Sequence, residues 1–94
     1  MITTKQKSKL RSIAMTKKAI YQIGKDGISN NLLEGLNNAL EAHELIKITV
    51  LKNCSSNVNE IAFDIASNTN SEIVQIIGRN IVLYRKSKKQ LIEL

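Results

Sequence analysis

The apolar residues of this 94-residue chain follow two spacings in turn, and this succession limits the fold more than any other feature. In some segments they recur every three or four residues, as on a helix face, and in others every second residue, as in a half-buried strand. The two spacings predict helices at 4–16, 29–42 and 57–68 and strands at 19–23, 46–52, 72–77 and 81–85. We therefore expect one α/β domain over residues 1–94, in the order α-β-α-β-α-β-β, with helices packed against a mixed four-stranded sheet.

Positive charge is concentrated at the two ends of the sequence. Residues 1–25 contain seven basic and no acidic residues, residues 26–78 two basic and seven acidic, and residues 79–94 five basic and one acidic. The net charge of +6 favours a polyanionic partner, provided that the fold brings both ends to one surface. The plainer interpretation is a solvated surface that keeps the protein soluble.

The segment Gly24-Lys25-Asp26-Gly27 lies between a predicted strand and a predicted helix. Its glycines permit positive φ angles and close approach of the backbone, the helix start has free N–H groups, and Lys25 adds a positive charge. These properties suit a phosphate group. On spacing alone, a glycine-containing turn without a ligand is equally acceptable, and Asp26 would repel a phosphate if it pointed inward.

Residue types that support catalysis or metal binding are scarce. Cys54 and His43 are the single cysteine and histidine, so no intramolecular disulfide can form and a Cys/His metal site is disfavoured. Tyr21 and Tyr84 could stack on bases, although packing within the sheet is the favoured role. We expect no enzymatic activity and no cofactor. No apolar run approaches the roughly 18 residues of a membrane span, which favours a cytoplasmic protein.

In order and spacing, several short segments are similar to the CRM (chloroplast RNA splicing and ribosome maturation) domain family in its stand-alone bacterial, YhbY-like form. The segments are Leu10-Arg11 with Ala14, Gln22 to Ile28, Ala39 to Glu41, Glu44 to Lys47, Val74 to Arg79 and Val82 to Arg85. The resemblance implies an RNA-binding α/β fold similar to the C-terminal domain of initiation factor three, with the G-x-x-G loop at the RNA surface. It also implies association with precursors of the large ribosomal subunit.

The leading hypothesis is a monomer that binds ribosomal RNA, mostly through phosphates, on one positive surface. The candidate RNA-binding residues are Lys5, Lys9, Arg11, Lys17, Lys18, Gly24, Lys25, Asp26, Gly27, Arg79 and Arg85. A second hypothesis is a protein-interaction module that docks on a ribosomal protein or assembly factor. A small enzyme ranks third, because positioned titratable groups are few.

Overall fold

Three helices and four strands make up the computed structural model, which describes residues 2–88 and 91–92. The helices are α1 (Thr4–Ala14), α2 (Asn30–His43) and α3 (Val58–Thr69). The strands are β1 (Tyr21–Ile23), β2 (Leu45–Val50), β3 (Glu72–Ile77) and β4 (Asn80–Tyr84). The predicted α/β class and the predicted order of elements are confirmed. None of the helices in the described part of the chain is both long and apolar enough to span a bilayer.

Two elements, α1 and β2, each end two residues earlier than the apolar spacing predicts, and local turns explain both differences. After α1, the Thr16 and Lys17 amides donate to carbonyls only three residues back, those of Ile13 and Ala14, which tightens the helix into a turn. After β2, the Leu51 carbonyl accepts from the Cys54 amide at 3.1 Å, so the chain turns away before the predicted strand end at residue 52.

The sheet has the strand order β1-β2-β4-β3. β1 and β2 are parallel and are joined by the crossover helix α2, whereas β4 runs antiparallel to both of its neighbours. The C-terminal ends of β1 and β2 therefore lie at the same end of the sheet as the hairpin between β3 and β4. This shared end brings together two segments that are more than 50 residues apart in the sequence.

Each face of the sheet packs against different helices. On one face, Ile46, Ile48 and Val50 of β2 join the core beneath α2 and α3. On the other face, α1 packs through Leu10 and Ala14 on a second apolar cluster. The sheet residues of that cluster are Leu45, Val74, Val82 and Tyr84. They lie toward the start of β2 and the end of β4, so α1 covers one half of this face and leaves the half near the β3–β4 hairpin uncovered.

Candidate nucleic-acid interface

The segment Gly24–Gly27 forms a tight turn directly after β1. The Gly27 amide donates to the Gly24 carbonyl at 3.0 Å, which places Lys25 and Asp26 at the exposed tip. Gly27 has a φ of 65°, and because a Cβ at Gly27 would meet nothing within 4 Å, the backbone angle rather than space requires glycine. The turn thus displays one cation and one anion at the end of the sheet.

The chain continues from this turn into the start of α2. Ser29 caps the helix, since its Oγ accepts from the Leu32 amide at 3.1 Å and its carbonyl accepts from the Leu33 amide. The remaining first-turn amides lie next to the Lys25 turn and carry the partial positive charge of a helix N-terminus. The α2 amides and Lys25 therefore favour an anion at this position, whereas the Asp26 carboxylate opposes it.

The β3–β4 hairpin lies beside this turn, with the end of β2 between them. The Arg79 carbonyl accepts from the Val50 amide at 2.7 Å, and Arg79 Nη1 donates to the Leu51 carbonyl at 3.2 Å. The Leu51 amide in turn donates to the Ile23 carbonyl at 2.8 Å, one residue before Gly24. The structure thus brings the predicted Gly24–Gly27 and Arg79 elements to one end of the sheet. We call residues 24–27, 51–53 and 78–80 the loop edge.

A row of cross-strand neighbours borders the loop edge on the half of the sheet that α1 leaves uncovered. Gln22, Thr49, Asn80 and Ile77 are successive partners across all four strands. Thr49 donates from Oγ1 to Asn80 Oδ1 at 2.7 Å. Gln22 and Asn80 are exposed, and Ile77 is 57% exposed. The row offers amide and hydroxyl groups next to the cations, an arrangement that suits sugar and base contacts.

The basic residues of α1 lie on the other half of the same face. α1 starts beside β3, where the Ile2 amide donates to Glu72 Oε2 at 2.8 Å, and crosses the sheet toward β1. Lys5 and Lys9 are exposed along this helix. Because α1 packs on residues toward the start of β2 and the end of β4, these lysines lie on the half of the face away from the loop edge.

Arg11 is partly buried on α1, and its Nε atom has no hydrogen-bond partner among the residues that the structure describes. A desolvated guanidinium N–H without an acceptor is costly to the folded state. Because this Nε atom has almost no accessible surface, only the terminal Nη groups of Arg11 could meet a ligand at the surface.

Arg85 does not reach the surface formed by the other candidates. Its guanidinium donates to Asn37 Oδ1 at 2.8 Å, to the Asn37 carbonyl at 2.9 Å and to the Thr69 carbonyl at 2.7 Å. Glu41 lies 3.7 Å away as an ionic partner. These contacts join β4 to α2 and to the end of α3, so we leave Arg85 out of the interface and assign it to stability.

Glu44 was missed by sequence reasoning, yet it fixes the C-terminal segment. It is completely buried and has a φ of 64°, an angle that is strained for a residue with a side chain. Its carboxylate accepts from the Ser87 and Ile92 amides, both at 2.6 Å. Burial alone would raise the pKa of the Glu44 carboxyl, but the backbone donors outweigh burial and the pKa lies below its usual value.

The tyrosines and Cys54 contribute to packing. Tyr84 is 5% exposed in the cluster beneath α1, where burial and the charges of Glu44 and Glu72 raise its pKa. The Tyr21 ring packs on α2 so closely that a Cβ at Gly35 would lie 2.7 Å from its hydroxyl. Cys54 is buried as a free thiol. The described part of the chain has no group of three His, Cys, Asp or Glu residues that could hold a metal ion.

The sequence of this chain is similar to a known family and to several bacterial proteins. The family model for the CRS1 / YhbY (CRM) domain matches residues 2–85. The Bacillus subtilis protein named "Probable RNA-binding protein YqeI" is 45% identical over 89 residues, which cover 95% of this chain and 93% of that protein. A Haemophilus influenzae protein named "RNA-binding protein" is 34% identical over 93 residues, covering 99% of this chain and 94% of the relative.

A solved structure is also similar to this one. The solution structure of the hypothetical protein SAV1595 from Staphylococcus aureus superposes with a TM-score of 0.80 at 46% sequence identity. The match covers 94% of this chain and 92% of that one. Together with the family model, these similarities confirm the resemblance found in the sequence: the chain belongs to the CRS1/YhbY (CRM) domain family.

Proposed function

We propose that this protein binds RNA without a catalytic role, and that its partner is ribosomal RNA during assembly of the large ribosomal subunit. The observation that carries the proposal is the loop edge, where the Lys25 turn, the start of α2 and Arg79 meet through the backbone of β2. The family and the names of two relatives support RNA as the ligand. The assignment of this RNA as ribosomal rests on the family resemblance.

The proposed interface extends from the loop edge across the uncovered half of the sheet to the basic residues on and after α1. Lys25, Arg79 and the exposed Lys52 supply charge at the loop edge. Lys5, Lys9, Arg11, Lys17 and Lys18 supply it on and after α1. Gly24 and Gly27 let the backbone approach a phosphate closely. Asp26 stands at the turn tip as a proposed contact to a sugar hydroxyl or base edge, since its carboxylate repels phosphate.

The test is a pair of charge-reversal variants with equal net charge. Lys25→Glu with Arg79→Glu changes the loop edge, while Lys86→Glu with Lys88→Glu changes exposed residues after β4. We expect the loop-edge variant to lose at least 100-fold in affinity for a ribosomal RNA fragment at about 0.1 M salt, because repulsion replaces two phosphate contacts. The control variant is expected to lose much less.

Equal losses in both variants would show that total charge, not the loop edge, determines binding. A complex with a purified ribosomal protein that survives nuclease treatment and high salt, together with no RNA binding by the wild-type chain, would favour the protein-interaction hypothesis. Crosslinking in cells with mapping of the attached RNA tests the assignment to the large subunit: crosslinks absent from its RNA would contradict it.

A further inference from the structure

A cavity of about 200 Å³ lies at the end of the sheet opposite the loop edge. Its lining includes three lysines and one histidine, together with apolar surface: Lys17, Lys18, Lys47, His43, Ile20 and Leu45. We call this the lysine cavity. Its volume equals that of several water molecules, so it has room for a phosphate group with part of the attached sugar.

The fold brings these side chains together from three separate segments. The turn after α1 positions Lys17 and Lys18, and the Ile20 amide donates to the Lys47 carbonyl at 2.9 Å, which holds this connection against β2. Lys47 faces away from the core beneath α2 and α3, because its neighbours Ile46 and Ile48 point into that core. His43 is the last residue of α2.

The charge of the cavity is uncompensated within the described residues. No acidic side chain is part of its lining, and Lys17, Lys18 and Lys47 have no ion pair or hydrogen bond from their ammonium groups among residues 2–88 and 91–92. Three cationic residues and no acidic residue line the cavity, so an anion is the ligand that its charge favours. The partly buried Arg85, by contrast, has acceptors from three residues.

We infer that the lysine cavity holds a phosphate group of the bound RNA backbone, a second anchor separate from the loop edge. The inference rests on the proposed function, because it takes the phosphate from RNA. Lys47 and Leu51 are four residues apart along β2 and its extension, about 13 Å, so one RNA segment can contact both sites. Apolar surface from Ile20 at the cavity suits the sugar next to the phosphate.

The test compares two double substitutions that each remove two positive charges. Lys18→Gln with Lys47→Gln changes the cavity, and Lys86→Gln with Lys88→Gln is the matched control. We expect the cavity variant to bind RNA about 10-fold more weakly at 0.1 M salt, and the slope of log K against log salt to fall by about 0.7–0.9, the value for one phosphate. The control should change affinity less than about twofold.

Several outcomes separate this inference from the proposed function. If the wild-type chain binds no RNA, both fail. If it binds RNA and the cavity variant matches the control, the inference is overturned while the loop edge stands. Thermal unfolding of each variant checks the fold. If the double substitution unfolds the protein, Lys47→Gln alone against Lys86→Gln, with Lys47→Arg to restore the charge, gives the same comparison.

Titration with inorganic phosphate distinguishes the two sources of the anion. In amide NMR spectra we expect RNA to shift the signals of residues 17–20 and 45–47 at micromolar concentration, and inorganic phosphate to shift them only at millimolar concentration. Saturation of these signals by micromolar inorganic phosphate, with no effect of RNA beyond it, would contradict the assignment to the RNA backbone.

Discussion

Glu44→Gln tests whether the buried Glu44 carboxylate stabilises the fold, because the substitution removes the charge and keeps nearly the same shape. The carboxylate accepts from the Ser87 and Ile92 amides at 2.6 Å each, and the Gln side chain has one oxygen for these two donors. One charge-assisted hydrogen bond is lost and one N–H faces an amide nitrogen, at a cost of about 2–4 kcal/mol. For a domain of this size, that lowers Tm by roughly 10–20 °C.

The dependence on pH provides a second, independent sign of the same contact. The folded state lowers the pKa of the Glu44 carboxyl below the unfolded value of 4.5, so the unfolded state takes up the proton first on acidification. The stabilisation is therefore fully present above about pH 5 and is lost as pH falls through the folded pKa. Glu44→Gln should lack this contribution to acid destabilisation.

The assay is urea unfolding followed by circular dichroism between pH 3 and pH 7, for the wild type, Glu44→Gln and the control Glu34→Gln. Glu34 is exposed on α2, so its substitution should change stability by less than about 0.5 kcal/mol. A Glu44→Gln protein as stable as Glu34→Gln at pH 7, with unchanged acid sensitivity, would refute the proposed role of Glu44.

Three further predictions concern single residues. Arg85→Lys keeps the charge but loses the planar donor fork, so we expect about 1.5–3 kcal/mol lower stability in urea and unchanged RNA affinity; weakened RNA binding in a fully stable variant would return Arg85 to the interface. Gly27→Ala should lower the free energy of unfolding by about 1–2 kcal/mol because Gly27 has a φ of 65°, and Gly27→Asn should lower it less. Equal stability of the wild type and both variants would contradict the turn geometry. Burial raises the pKa of Tyr84, and Tyr21→Phe leaves Tyr84 as the only tyrosine, so absorbance titration of this variant should give a midpoint above 10. Stability should be lost as pH rises from 10 toward that midpoint, because the unfolded state loses its phenol proton first. A midpoint at or below 10 would contradict the burial of Tyr84.

The sequence predicted those parts of the fold that depend on local apolar spacing. The alternation in β2 reflects burial of Ile46, Ile48 and Val50 beneath two helices, and β3 has the predicted bounds, Glu72–Ile77. The turn at Gly24–Gly27 was predictable because glycine marks positive φ. Parallel pairing of β1 with β2 then placed this turn at the end of the sheet where the β3–β4 hairpin also lies.

The remaining features depend on partners that are distant in the sequence. Arg85 and Asn37 are 48 residues apart, and no local pattern distinguishes a cation with partners in the fold from one that faces a ligand. Glu44 is similar, because its backbone donors lie 43 and 48 residues away. The every-second-residue spacing of the strand predicts that Lys47 points away from Ile46 and Ile48, but the cavity that it shares with Lys17 and Lys18 exists only after the connection to β1 folds against β2.

Amide NMR mapping during titration with a ribosomal RNA fragment tests the claim that the loop edge contacts RNA. We expect the largest shifts on residues 24–27, 51–53 and 78–80, with smaller shifts near Arg11 and the lysine cavity. Shifts confined to α3 and the outer surface of α2, with residues 24–27 and 78–80 unchanged in a saturated complex, would contradict the claim.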